Sequence, residues 1–380
     1  MSLTSHIISA VDHVLEPPEV WTRRLSKAQF GDRIPHLECL ANGSDSWIVD
    51  GRKLALADTA RVGALMINRA DGPKRWENVP KAAYDSGARL KAMDEDGIDC
   101  TVLYPGLAGF SGELFGAITD PELEIACVRA YNDWLIEEWA SKNNRFIAQC
   151  IVPLSPVDAA VNEIKRSVGN GHRGVIFPAE PIHLRNLPHI NSPAYDPVWA
   201  TCQELDVPLC FHAGSAPQLQ FPTAPSLAPE LAAAFQAVIR PASAAFDLSN
   251  ILFSRILLRF PRLKVVFAES TIGWGTFLLE YADHQYEQDH CGYELKPSEM
   301  FHRQCYLTAW YDPLKVHARH IGVDNILWAT NFPTANSSWP DSRTFAEKCL
   351  AGMSDSEQEQ ILNRNAAKLY KIERRNGVML

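Results

Sequence analysis

Eight short apolar, β-branched runs alternate with longer amphipathic segments along this chain, and that alternation constrains the fold more than any other feature. The runs are residues 7–12, 100–104, 146–152, 174–177, 207–211, 264–268, 305–308 and 326–329. Each is followed by polar, Gly or Pro residues and then by helical periodicity, the signature of βα units around a parallel sheet. Eight such units predict one (β/α)₈ barrel of the α/β class spanning residues 1–380, a length such barrels reach as one unit. Residues 156–168 illustrate the helical signal: Ala159, Val161, Ile164 and Val168 share a face before the Gly169-Asn170-Gly171 stop. Residues 120–141 form a second such segment.

Residues 22–84 break the alternation. The stretch Asp45-Ser46-Trp47-Ile48-Val49-Asp50-Gly51-Arg52-Lys53 reads as a hairpin, so this region is an expected insertion that lids the site or builds a subunit interface.

Composition narrows the partners. A net charge of −9 without any block of like charges gives no footprint for nucleic acid or an anionic membrane. No apolar stretch has the length of a membrane span and the first residues lack a signal-peptide pattern, so a cytoplasmic location is expected. The nine cysteines are scattered, several inside apolar runs, and read as buried free thiols.

Active sites of α/β barrels lie at the carboxyl ends of the strands. At those ends stand Asp12, His13 and Glu16, then Glu180, His212, Glu269 and Asn331. Imidazole nitrogens and carboxylate oxygens converging on one rim suit Zn, Fe or Mn. Asp12 is expected to ligate or to orient a ligand. His284 and His302 fall on helical segments and read as structural. The apolar loops 107–110 and 217–235 are expected to shape a substrate pocket.

Four segments carry a family resemblance: Asp12-His13-Val14-Leu15-Glu16-Pro17-Pro18, Ala130-Tyr131-Asn132-Asp133-Trp134, Phe211-His212-Ala213-Gly214, and Pro261-Arg262-Leu263-Lys264-Val265-Val266-Phe267-Ala268-Glu269. From about residue 7 to 370 the chain resembles the amidohydrolase-2 family, which includes the aminocarboxymuconate-semialdehyde and resorcylate decarboxylases. Two departures stand out. The decarboxylases place a second metal ligand two residues before the strand-one histidine, where this chain has Val11. Their eighth strand supplies an Asp, where this chain reads Thr330-Asn331-Phe332-Pro333-Thr334. A carboxamide is neither a general acid nor a general base near neutral pH.

Loss of that Asp beside a carboxylate-rich donor set suggests a changed chemistry. In this pattern the chain resembles a branch of TIM-barrel non-haem di-iron monooxygenases that hydroxylate a diterpenoid CoA thioester in antibiotic biosynthesis. The resemblance implies two irons on His13, Glu16, Glu180, His212 and Glu269, with Asn331 and Asp12 as further donors. It makes Glu16, Glu269 and Asn331 the expected catalytic side chains. It also implies O₂ as co-substrate, an external reductase or other electron donor, a CoA-linked small-molecule substrate and a homodimer. The alternative is a mononuclear Zn- or Mn-dependent hydrolase or decarboxylase. A metal-free binding protein using the barrel mouth is a third reading.

Overall fold

The computed structural model describes residues 5–56, 73–214, 227–292, 294–375 and 378–379. Its centre is a ring of parallel strands: β1 (Ile8–His13), β5 (Cys100–Tyr104), β6 (Phe146–Ala148) with β7 (Cys150–Ile151), β8 (Val175–Ile176), β9 (Leu209–His212), β10 (Val265–Ala268), β11 (Cys305–Ala309) and β12 (Ile326–Trp328). Nearly every residue of these strands is buried on both faces, which is why they read as continuous apolar runs rather than alternating ones.

Hydrogen bonding divides the ring into two arcs, β1-β5-β6 and β7-β8-β9-β10-β11-β12, with every pairing parallel. Only Gln149 separates β6 from β7, so one bent strand passes from the first arc to the second. Gly174, just before β8, makes this bend possible: a Cβ there would lie 2.6 Å from Oε1 of Gln149. The other seam closes beyond β12, where Asn331 N donates to Val11 O at 3.0 Å and His13 N donates to Phe332 O at 2.7 Å. This is the barrel that the alternation predicts, with strand limits shifted by one or two residues.

The expected helix at 120–141 is Pro121–Leu135, followed by a π-helical turn at Ile136–Ala140. Asp120 caps it by accepting from Glu122 N at 3.0 Å. Asn132, within one of the family motifs, fastens this helix to the barrel. Its Nδ2 donates to Ile151 O at 3.0 Å and to Glu163 Oε1 at 2.7 Å, while its Oδ1 accepts from Ile151 N at 3.1 Å. The motif therefore serves the fold.

Outside the ring, β2 (His36–Cys39), β3 (Asp45–Val49) and β4 (Arg52–Ala55) form an antiparallel sheet. The expected hairpin turns at Asp50-Gly51, both with positive φ, a two-residue loop whose twist matches the flanking strands. Trp47 packs edge-on against Trp21 at 5.7 Å, and Trp21 donates to Cys127 O at 3.1 Å, which seats the sheet on the helix Pro121–Leu135. Residues 57–72 of the insertion lie outside the described residues. No helix among the described residues is long and apolar enough to cross a membrane.

Candidate metal centre

His13 is the last residue of β1, His212 the last of β9, and Glu269 the first after β10. Their strands point them at the same rim. One nitrogen or oxygen atom from each lies within 4.8 Å of the other two, and all three side chains are buried. Nε2 of His212 stands 3.6 Å from Oε2 of Glu269, and the imidazole centroids are 5.1 Å apart.

Each imidazole is oriented by its other nitrogen. Nδ1 of His212 lies 2.8 Å from Ala213 O, and Nδ1 of His13 lies 3.3 Å from Pro105 O. A carbonyl only accepts, so Nδ1 carries the proton in both rings and Nε2 offers its lone pair. Both Nε2 atoms are buried and have no hydrogen-bond partner among the described residues. Burial lowers the pKa of His13 to about 4 and holds His212 below its ordinary value, with the neighbouring imidazole adding to the effect at His13. Both rings are therefore neutral near pH 7. Burial alone would raise the pKa of Glu269, but the facing His212, Arg240 and His13 outweigh it and hold the carboxyl below its usual range. Two neutral imidazoles with unused lone pairs and one ionised carboxylate fit a divalent metal ion.

The other expected ligands are directed elsewhere. Asp12 Oδ1 accepts from Ser9 Oγ at 2.9 Å, Thr330 Oγ1 at 2.7 Å and Phe332 N at 2.9 Å, and its Oδ2 accepts from Thr101 Oγ1 at 2.6 Å. It ties β1 to β5 and to the segment that follows β12. Glu16 accepts backbone amides from Gly106 at 3.1 Å and Leu107 at 2.7 Å, and burial pushes its pKa up to about 7. Its carboxyl orders the loop after β5. Glu180 lies 3.7 Å from His183, and burial raises its pKa too. None of these three joins the cluster, because backbone and hydroxyl donors engage Asp12 and Glu16 and a surface histidine faces Glu180.

Asn331 stands beside the cluster: its Nδ2 donates to Glu269 Oε1 at 2.7 Å, and its buried Oδ1 has no hydrogen-bond partner among the described residues. His284 stacks on Tyr281 along the outer helix Gly273–Gln288, and His302 lies edge-on to Phe301 in the helix Pro297–Gln304.

Phe110, from the expected pocket loop at 107–110, covers the two imidazoles, stacked on His212 at 4.9 Å and tilted against His13 at 5.0 Å. Residues 217–226 of the second expected loop lie outside the described residues. Three residues near the site were not picked out from sequence. Arg240 brings Nη1 to 4.0 Å from Glu269 Oε1, and it is the lone cation between His212 and Arg255, a signal the sequence did carry. Asn336 and Arg89 gave no such signal.

A family model described as amidohydrolase matches residues 74–372. The chain belongs to the amidohydrolase family. Among curated proteins, this amidohydrolase-family chain is 27% identical over 332 residues to a gamma-resorcylate decarboxylase of Rhizobium radiobacter, covering 79% of this chain and 91% of the relative. A second gamma-resorcylate decarboxylase, from Rhizobium sp. strain MTP-10005, is 26% identical over 330 residues, covering 78% of this chain and 91% of the relative. Among solved structures, an amidohydrolase from Mycobacterium avium subsp. paratuberculosis K-10 superposes with a TM-score of 0.77 at 22% identity, covering 97% of this chain and all of the other. A dihydroxybenzoic acid decarboxylase from Polaromonas sp. JS666, with bound manganese and 2-nitroresorcinol, superposes with a TM-score of 0.65 at 19% identity, covering 99% of each chain. These superpositions show the shared barrel.

The comparisons correct the expected reaction class. The relatives are named as decarboxylases over nine-tenths of their length, so the expectation of an oxidoreductase, a di-iron monooxygenase of antibiotic biosynthesis, is overturned. The donor geometry agrees: among the described residues one cluster of three ligating groups is present, and Glu16 and Glu180, which the two-iron reading required, do not belong to it. The expectations of O₂, of external electrons and of a diterpenoid CoA thioester rested on that hydroxylase reading alone.

Proposed function

We propose that this chain is a decarboxylase of an aromatic hydroxy acid that works with one divalent metal ion, manganese or zinc, held by His13, His212 and Glu269. The observation that carries the proposal is the trio of buried donor atoms within 4.8 Å, two of them imidazole nitrogens with no hydrogen-bond partner among the described residues. The gamma-resorcylate decarboxylases to which the chain is similar support the reaction class, and the manganese-containing dihydroxybenzoic acid decarboxylase that shares the fold supports the choice of metal.

Decarboxylation needs neither oxidant nor reductant. The bond between the ring carbon and the carboxylate breaks, CO₂ leaves, and a proton takes its place on that carbon. When bound, a divalent ion supplies Lewis-acid polarisation of a substrate oxygen. The protein supplies the rest. His13 and His212, each locked through Nδ1 to a carbonyl, present Nε2 without reorganisation. Phe110 provides an aromatic wall against which a planar ring stacks and from which water is excluded. Arg240, one-third exposed beside Glu269, places a cation where an anionic substrate enters. Asn331 holds Glu269 and moves no proton.

The test is to load the purified chain with Mn²⁺ or Zn²⁺ and follow CO₂ release from 2,6-dihydroxybenzoate and related hydroxybenzoates. One equivalent of metal and metal-dependent CO₂ release are expected. Full metal loading without CO₂ release from any of these acids overturns the reaction, and no metal binding overturns the site.

A further inference from the structure

Resting on that reading, we infer that Asn331 and Asn336 form an amide clamp that fixes Oε1 of Glu269 and reserves Oε2 for the metal. Oε1 accepts from Asn331 Nδ2 at 2.7 Å and from Asn336 Nδ2 at 3.3 Å. The remaining hydrogen of Asn331 Nδ2 goes to Asn336 Oδ1 at 3.0 Å, which closes a ring of three side chains. Thr334 fixes the ring from outside: its Oγ1 donates to Asn336 Oδ1 at 2.6 Å and lies 2.7 Å from Asn331 O. Chemistry dictates the direction of each amide, because a carboxylate only accepts and an amide oxygen turned towards it is repelled. Oε2 is the oxygen that faces Nε2 of His212. The two oxygens of Glu269 thus have different duties.

The backbone shows that this arrangement is enforced. Glu269 and Asn331 both adopt left-handed φ, at 52° and 56°. Asn tolerates this conformation, whereas Glu adopts it only where its surroundings hold it. The strained backbone of Glu269 and its two amide donors act together to preset the carboxylate, with Oε2 the oxygen that would meet the metal. One further consequence concerns charge. With Asn at 331, a divalent ion, two neutral imidazoles and one carboxylate leave a net positive charge, where a second carboxylate would leave none. Such a site favours an anionic substrate.

Asn336 is therefore a positioning residue, and its test reads metal affinity rather than turnover. Titrating Mn²⁺ into the metal-free full chain, Asn336→Ala is expected to weaken binding by about 10–100-fold, the usual effect of removing a hydrogen-bond partner of a ligand. Asn336→Gln, which keeps both amide groups, is expected to recover much of that loss. An Asn336→Ala affinity within about twofold of the parent chain overturns the clamp. If neither the parent chain nor Glu269→Ala binds Mn²⁺, the metal reading itself fails. The clamp is then read by NMR: side-chain amide protons of Asn331 and Asn336 that exchange slowly in the parent and rapidly in Glu269→Ala support it, and fast exchange in the parent overturns it.

Discussion

The buried guanidinium of Arg89 donates from Nη2 to the carbonyl oxygen of His13 at 2.6 Å, so the backbone of one member of the donor trio is held by a cation that lies outside the trio. Nε of the same group donates to Ala82 O at 2.7 Å, and the guanidinium lies 4.5 Å from the Phe332 ring centroid. A planar fork is needed to reach two carbonyls and stack on a ring, and an ammonium does neither well. Arg89→Lys is therefore expected to destabilise the fold by roughly 2–4 kcal/mol in denaturant titration, the range for breaking a buried, charge-assisted hydrogen-bond pair. A stability within about 0.5 kcal/mol of the parent, the range of neutral surface changes, refutes it.

Glu269 is the single carboxylate of the donor trio. Glu269→Ala is expected to reduce bound metal from about one ion per chain to a small fraction under conditions that saturate the parent, because three protein donors around a tightly held ion become two. Metal analysis after gel filtration checks this. Full occupancy in the variant removes Glu269 from the coordination sphere.

Glu16 predicts a pH dependence. Its folded pKa of about 7 lies above the ordinary glutamate value of 4.5 because burial disfavours the charged form. In the window between those values the folded chain binds this proton and the unfolded chain does not. Raising the pH from about 4.5 to 7 therefore lowers stability through Glu16, and the contribution is fully present only below 4.5. Glu16→Gln cannot titrate, so the parent-minus-variant difference in unfolding free energy should fall across this window. A flat difference refutes the shift.

The barrel was legible in the sequence because burial on both faces of a parallel strand leaves an apolar run that polar segments interrupt. His13, His212 and Glu269 were legible because a strand end at the carboxyl rim is a fixed address. The direction of a carboxyl group in a loop is not fixed in this way. Glu16 and Glu180 share residue type and rim with Glu269, yet the amides of Gly106 and Leu107 claim the first, and the second faces His183. Asp12 misled for a related reason: it adjoins His13 in sequence, but neighbouring strand residues face opposite ways. Asn336 could not be found, since it sits in a turn beyond β12 rather than at a strand end. The Asn132 motif carried a family likeness that proved to be mechanical, a clamp between helix and strand.

Asn132 makes this distinction testable. Its amide satisfies both backbone groups of Ile151 and one oxygen of Glu163, and all three groups are buried. Asn132→Ala should cost about 2–3 kcal/mol of stability, the penalty for leaving buried polar groups unpaired. Metal affinity should remain at the parent value, because the residue lies far along the chain and packs behind β7 rather than at the rim. Loss of metal in a folded variant would show that the motif reaches the site after all.

Asn331→Asp tests what the missing acid does. The new carboxyl would stand where an amide now lies 2.7 Å from Glu269 Oε1, too close for two charges to coexist without a metal ion between them or a shared proton. With Oε2 of Glu269 committed to the metal, the new carboxyl is expected to be the one of the pair that holds a proton, giving the rim a group that can donate it to a substrate carbon. Positioned proton donors contribute roughly 10²–10⁴-fold, so a rise of at least about 10²-fold in the rate of CO₂ release from 2,6-dihydroxybenzoate is expected in the metal-loaded variant. The clamp opposes this gain by losing its amide donor, so metal affinity and rate should be measured on the same preparation. A variant that binds metal as the parent does yet releases CO₂ no faster would show that the proton reaches the substrate by a route in which position 331 takes no part.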